Sequence, residues 1–385
     1  MRRESSPPRS GVDRHFEEIG FAYAHIDGDA YWDESARYIF TLREIEEGIE
    51  AATAGLDALC LELVARVVAS ERLLDRLRVP AHAREVIAES WSRRDPSLYG
   101  RFDFAYDGNG PPKLLEYNAD TPTSLFESAV VQWHWLEQMV ADGALPSGAD
   151  QFNSLHEKLV ARWAEIASSR FVHFAAMSDS VEDFGTAAYL ADCVVQAGRG
   201  AALLDMADIG LKGSQFYDRD GRRIETLFKL YPWEWMFADD FGKSPAMRMT
   251  RFIEPPWKAL LSNKGMLALL WEMAPGHPNL LECYFDDDPR AAALGGNYAK
   301  KPLFSREGAN ILLVREGRTI ASAAGNYGAE GHVRQALRLL PCFDGRFPVI
   351  GSWLIGGAPA GMGVREDATP LTSNRSRFVP HAIVG

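Results

Sequence analysis

What the chain lacks narrows the field first. Its four cysteines, Cys60, Cys193, Cys283 and Cys342, lie far apart and form no Cys-x-x-Cys pair. That spacing excludes a disulfide framework and a zinc site and predicts four reduced, buried thiols. No run of about 18 apolar residues occurs, so no membrane-spanning helix is expected. The start MRRESSPPRSG has no apolar centre of the kind a signal peptide carries, and a cytoplasmic protein is expected. Basic residues are outnumbered, 41 Lys and Arg against 53 Asp and Glu, for a formal charge of −12. Nucleic-acid binding depends on clustered cations, so nucleic acid is not an expected partner, whereas a cationic small substrate is compatible. There is no GxxxxGK[ST] phosphate loop, no His-Arg-Asp catalytic loop and no internal repeat.

At 385 residues, 46% hydrophobic and 24% charged, the chain has the composition of a globular protein with room for two or three lobes. The informative stretch is RFDFAYDGNGPPKLLEYNAD, residues 101–120. It predicts two strands, Arg101–Tyr106 and Lys113–Asn118, joined by a Gly/Pro-rich turn. Alternation puts Phe102, Phe104 and Tyr106 on one face and Arg101 and Asp103 on the other. On the second strand Leu115 and Tyr117 oppose Glu116 and Asn118. With Tyr106 and Lys113 flanking the turn, Asp103 faces Glu116 and Arg101 faces Asn118. Like charges directly opposite destabilise a sheet, so removing either carboxylate is expected to stabilise the free protein by up to about 1 kcal/mol. Two carboxylates and an amide oxygen on one face suit Mg²⁺, and the neighbouring arginine suits a phosphate.

The rest of the chain reads in order. Residues 1–12 are polar and proline-rich, a predicted flexible tail, and residues 13–100 are mainly helical. Helical spacing runs from Leu42 to Leu77, with Gly48 and Gly55 as possible kinks, and again from Ala83 to Ser92. After the hairpin, Thr121–Ser124 caps a helix whose Trp133, Trp135 and Leu136 are expected in the core, completing a 101–140 unit. Residues 150–245 form a further lobe. Within it, Phe152–Ser168 reads as helix, and Phe171–Met177, Asp183–Ala197 and Ala201–Met206 read as strand, helix and strand. That βαβ unit predicts a parallel sheet, and its first turn carries no GxGxxG dinucleotide signature. Gly213–Tyr231 suggests a second hairpin turned at Asp218–Gly221. In residues 255–385, Lys264 falls in the first turn of a helix, unfavourable against the helix dipole unless an anion lies there. Lys301 ends a strand from Asn297 to Pro302, a Gly-containing turn follows at Arg306, and a hairpin turns near Glu316–Gly317. The last 60 residues suggest short strands.

Four runs resemble one family: RFDFAYDGNGPPKLLEYNADTPTS, EPPWKALLSNKGMLALLWEMAPGHPNLL, YAKKPLFSREGANI and VIGSWLIGGAPAGMGVREDATPLTSNRSRFVPH. They look like the synthetase domain of glutathionylspermidine synthase, and more so its stand-alone acid–amine ligase relatives, over nearly the whole chain from about residue 12. The resemblance implies a single α+β unit with an ATP-grasp fold, circularly permuted, and a βαβ substrate lobe of the pre-ATP-grasp kind. It implies ATP and Mg²⁺ as cofactors, with Asp103, Glu116 and Asn118 as metal ligands. Arg101 and Arg306 would act on the transferred phosphoryl group. Lys264, Lys301, Glu307, Gly308, Leu337, Arg338, Leu339 and Arg365 would lie on the nucleotide side. Thr121, Thr123, Glu182 and Asp183 fall where the family contacts its substrates. The implied reaction joins a small-molecule or peptide carboxylate to an amine, polyamines included, through an acyl phosphate. A phosphotransferase of the same fold and a non-catalytic binder are the alternatives. Two departures stand out. The amidase domain of bifunctional members has no room before Arg101, and NADTPTSLFE replaces the serine-rich run that contacts glutathione.

Overall fold

The hairpin forms in the expected register and then departs from it. In the computed structural model, which describes residues 1–26, 28–373 and 375–385, Tyr99–Ala105 pairs antiparallel with Lys113–Asn118. Arg101 lies opposite Asn118 and Asp103 opposite Glu116. A bulge beyond Asp103 then sets Phe104 against Leu114 and Ala105 against Lys113, so Tyr106 no longer flanks the turn with Lys113. The extra residue re-aims its side chain, as bulges do. Leu115 packs with Ala105, Leu340 and Val349 instead of joining Tyr117 and Phe102 in the main core.

This hairpin is one edge of a five-stranded antiparallel sheet, in the order Arg377–Val379, Ala358–Asp367, Phe347–Ile355, Tyr99–Ala105, Lys113–Asn118. Ala358–Asp367 and Phe347–Ile355 run to 10 and 9 residues, not the short strands suggested by their glycines. Those glycines serve close packing rather than turns. At Gly351, opposite Asp103, an added Cβ would lie 2.7 Å from Cδ of Arg101.

A second five-stranded antiparallel sheet has the order Cys283–Phe285, His332–Ala336, Tyr298–Pro302, Leu312–Arg315, Arg318–Ser322. The predicted turn at Glu316–Gly317 joins its last two strands. The βαβ unit is present as Phe171–Ala176, helix Val181–Gln196 and Gly200–Asp205. It belongs to a four-stranded parallel sheet ordered Arg251–Ile253, Thr226–Leu230, Phe171–Ala176, Gly200–Asp205. Asp218–Gly221 does turn, but Thr226–Leu230 leaves for this parallel sheet, and Gln215–Tyr217 pairs instead with Gly210–Lys212. An apolar TLFKL run gains more from burial on two faces than from a surface hairpin.

Other expectations need correction. Arg2–Ser5, in the predicted flexible tail, is a strand on Ala36–Phe40, held by Arg3 donating twice at 2.9 Å to the buried carboxylate of Glu366. The long helix is a π-helical turn, Glu44–Glu50, continued as Ala51–Val68. It breaks at Ser70, which caps Glu71–Arg76. Trp135 and Leu136 are buried, but Trp133 is 38% exposed, because residues two apart on a helix point to different sides. Cys342 is exposed, while Cys60, Cys193 and Cys283 are buried and free. Among the described residues no helix is long and apolar enough to cross a membrane.

Two buried ion pairs lock the hairpin to its surroundings. Glu254 accepts the amides of Leu98 and Tyr99 at 2.9 and 3.0 Å, and Lys258, 3.6 Å from Glu254, donates to the Tyr99 carbonyl at 3.1 Å. Just past the second strand Asp120 accepts from Lys229 and from the Trp233 amide, each at 2.8 Å, with both charged side chains wholly buried. Breaking such a pair strands a charge. Lys229→Met is therefore expected to lower stability by about 3–5 kcal/mol in urea unfolding, and a loss below about 1 kcal/mol would contradict it.

Candidate active site

The end of the hairpin, the carboxyl ends of the parallel strands and a loop over residues 304–308 enclose a cleft of about 180 Å³. Its walls include Arg101, Glu116, Asn118, Thr121, Thr123, Glu182, Asp183, Lys264, Arg306, Glu307, Gly308 and Arg365. Segments more than 250 residues apart in sequence thus converge on the face predicted from strand alternation.

The opposed carboxylates do not stand unpaired. Asp103 accepts from Arg101 at 2.7 and 3.1 Å, from Arg365 at 2.8 Å and from the Asn118 amide at 3.2 Å. Glu116 lies 3.0 Å from the Lys264 ammonium. Burial pushes the Glu116 carboxyl up, but Lys264 and Lys301 outweigh it and hold the group down at about 2. Glu116 is therefore the anion at the helix start, facing Lys264 at the cap of Gly265–Met273. Lys264 also donates to the Ser305 carbonyl at 2.6 Å.

Lys301 stands one layer back. Its ammonium donates at 2.8 Å to Gln335 and to the carbonyl of Leu115, the residue that the bulge displaced. Burial lowers its pKa to about 8 against the raising pull of Glu116. Leu337, Arg338 and Leu339 do not line the cleft. Leu337 packs with Ala299, Ile311 and Leu313 on the second five-stranded sheet, and Arg338 reaches Asp107 at 3.3 Å.

Arg306 is anchored rather than free. It donates to Thr121 at 2.6 Å and to Glu234 at 2.8 and 3.1 Å, with Trp235 beneath it. Its loop is shaped by backbone. Glu307 has φ 51, and Gly308 has φ +73 with the Thr372 carbonyl 2.3 Å from where a Cβ would sit, so no other residue fits there. Ser124, also lining the cleft, has φ 65, and left-handed non-glycine residues gather at functional sites.

The cleft also carries acidic side chains. Burial, then Glu182, lifts Asp183 to about 7. Burial, then Glu182, lifts Glu127 to about 8, and Tyr31 donates to it at 2.6 Å. The cleft therefore gathers cations at Arg101, Lys264 and Arg306 and carboxyl groups of raised pKa at Glu182 and Asp183.

Sequence reasoning missed Asp120, Lys229, Glu234, Trp235, Tyr31 and Glu127. A lysine inside the apolar run TLFKL was the one visible signal, since a cation there demands a buried partner.

The mixed α+β fold resembles that of a glutathione synthetase-like effector from Globodera pallida, with TM-score 0.54 and 12% identity over 98% of both chains. The chain belongs to the family described as glutathionylspermidine synthase preATP-grasp, whose model matches residues 3–384. It is 41% identical to a Haemophilus influenzae protein named "Putative acid–amine ligase", over 98% of each chain. It is 28% identical to trypanothione synthetase of Crithidia fasciculata and 26% to the bifunctional glutathionylspermidine synthetase/amidase of Escherichia coli. The match spans 52% and 62% of those two longer proteins.

The geometry reverses one expectation from sequence. Opposed carboxylates were expected to repel, but Asp103 is buried between two guanidinium groups. Asp103→Ala is expected to cost about 3–5 kcal/mol of stability, because Arg101 is then left buried without its partner. Denaturant unfolding reads this directly, and an unchanged or raised midpoint would show that repulsion dominates.

Proposed function

We propose that the protein is an ATP-dependent carboxylate–amine ligase. The observation that carries this reading is the composition of one cleft: cations suited to phosphates, hard oxygen donors, and carboxyl groups of raised pKa at Glu182 and Asp183. The relatives named as a ligase and as synthetases support it.

In this reading the two five-stranded antiparallel sheets grip ATP in a permuted ATP-grasp arrangement, the metal-binding hairpin preceding the lysines. Lys264 and Lys301 hold the phosphates, with Glu307, Gly308 and Arg365 beside them. Leu337, Arg338 and Leu339 follow the strand His332–Ala336, which pairs with the Lys301 strand, and contact the base. The donor set fits a hard cation: Glu116 and Asn118 face the cleft and Asp103 lies directly behind them. Mg²⁺ held there would neutralise phosphate charge.

One carboxylate oxygen of the acid attacks the γ-phosphorus of ATP, and ADP leaves. Arg101 and Arg306 stabilise the charge developing on the transferred group, their positions fixed by Asp103 and by Glu234 with Thr121. The amine nitrogen then attacks the acyl carbon, phosphate leaves, and a proton is released. Thr121 and Thr123 contact the acid, and Glu182 and Asp183 receive the amine as its ammonium, which gives up a proton before the nitrogen attacks.

A phosphotransferase gives no role to those carboxyl groups. The string Asp183–Phe184–Gly185 falls in the first turn of the helix Val181–Gln196, so it is not a kinase metal loop.

Arg306→Ala is expected to lower the phosphoryl-transfer rate by about 10²–10³ with much less effect on ATP affinity, since the donor acts mainly in the transition state. Rapid-quench ADP formation with a panel of acids measures the first, and calorimetry the second. With acid, ATP and Mg²⁺ but no amine, hydroxylamine should capture a hydroxamate. A stable phosphorylated product inert to every amine would establish the phosphotransferase instead.

A further inference from the structure

The parallel sheet ends in two cavities, one of them the cleft described above. The second, about 350 Å³, is lined by Met177, Met206, Phe216, Leu227, Tyr231 and Met236, among others. Its floor lies beyond the carboxyl ends of three strands, which finish at Ala176, Asp205 and Leu230. Ligands of parallel sheets bind in that position. Met177 lines both cavities, and Tyr231 and Met236 alternate with Pro232 and Trp235, which line the cleft. An unbranched thioether makes an adaptable partition between them.

Charge sets the character of the occupant. The lining holds no lysine, arginine or histidine, and its only charged side chains are Asp239 and Asp240. Asp239 accepts from the Tyr231 hydroxyl at 2.9 Å, and Lys243 lies 3.4 Å from Asp240, leaving the rim net negative. Phe241, on the same rim, is 41% exposed. An anionic group would be repelled here. An ammonium on an apolar body would be held at the rim and have that body covered.

We infer that this cavity binds the body of the amine, and that the amine is a diamine with an uninterrupted hydrocarbon spacer. One ammonium meets Asp239 and Asp240, the spacer passes Met206, Met236 and Met177, and the reacting nitrogen emerges beside Glu182 and Asp183. A polyamine such as spermidine does not fit the chemistry. Its internal ammonium would lie among methionine and leucine side chains with no partner, and burying an unpaired charge is costly. The role of the bound amine rests on the ligase reading; the binding preference does not.

Calorimetry on the full chain tests the preference with a matched pair. 1,8-Diaminooctane and spermidine have the same number of chain atoms and differ by the one internal nitrogen. The diamine should bind at least about tenfold tighter. Met206→Asp, at a half-buried position, should abolish or invert that preference, with an unfolding curve checking that the variant is folded. Combined Asp239→Asn and Asp240→Asn should weaken 1,8-diaminooctane while leaving 1-octanol, which carries no ammonium, unchanged. Spermidine binding as tightly as the diamine, or a preference unaltered in folded Met206→Asp, would overturn the assignment. If acids and amines are condensed but the preference is missing, the cavity assignment falls and the ligase reading stands. If the preference holds while no acid provokes ATP cleavage, the reverse is true.

Discussion

Two carboxylates held face to face, Asp103 and Glu116, are the constraint on which the rest of the structure depends. Left alone they would push the hairpin apart. Each is instead held by cations from a different part of the chain: Arg101 on the same strand, Arg365 on the strand Ala358–Asp367, and Lys264 at the start of Gly265–Met273. The charge pattern thus ties separate segments to one edge of one sheet. Space is arranged to match, with bare backbone at Gly351 beneath Arg101. The backbone amide of Lys264 donates to the Leu303 carbonyl at 2.8 Å, so its side chain and the Arg306 loop are set by one another.

Much of this was legible in the sequence because it is local. Strand alternation fixed the pairing of Arg101 with Asn118 and of Asp103 with Glu116. Apolar strands around a helix announced the βαβ unit, and the Glu316–Gly317 turn its hairpin. What escaped was set by partners far away in sequence. The bulge that turns Leu115 aside makes sense only once the Leu115 carbonyl meets Lys301. The tail becomes a strand because Arg3 finds Glu366, 363 residues on. The length of the last strands was missed because the atoms that their glycines admit, such as Arg101 over Gly351, are not sequence neighbours. The grouping of Arg101, Lys264, Arg306 and Arg365 came from the family resemblance. No periodicity links them.

If the protein is the ligase proposed above, the same geometry bears on how ATP and Mg²⁺ would enter the site. The carboxylates hold cations, and Arg306 holds Glu234. A metal arriving alone must displace guanidinium and ammonium groups and then sit beside them, which is unfavourable. Arriving with a triphosphate, it meets a different situation, because the displaced cations find new anions on the phosphates. Metal and nucleotide should therefore enter together, each making room for the other.

Calorimetric titration of the free protein with Mg²⁺, with ATP, and with both tests that exchange most directly. The account predicts no saturable heat from Mg²⁺ alone at concentrations that support Mg-ATP binding, weak binding of ATP alone, and tight binding of the pair. It also predicts that the synergy is lost in Asp103→Asn. Saturable Mg²⁺ binding without nucleotide, or synergy that survives in Asp103→Asn, would contradict it.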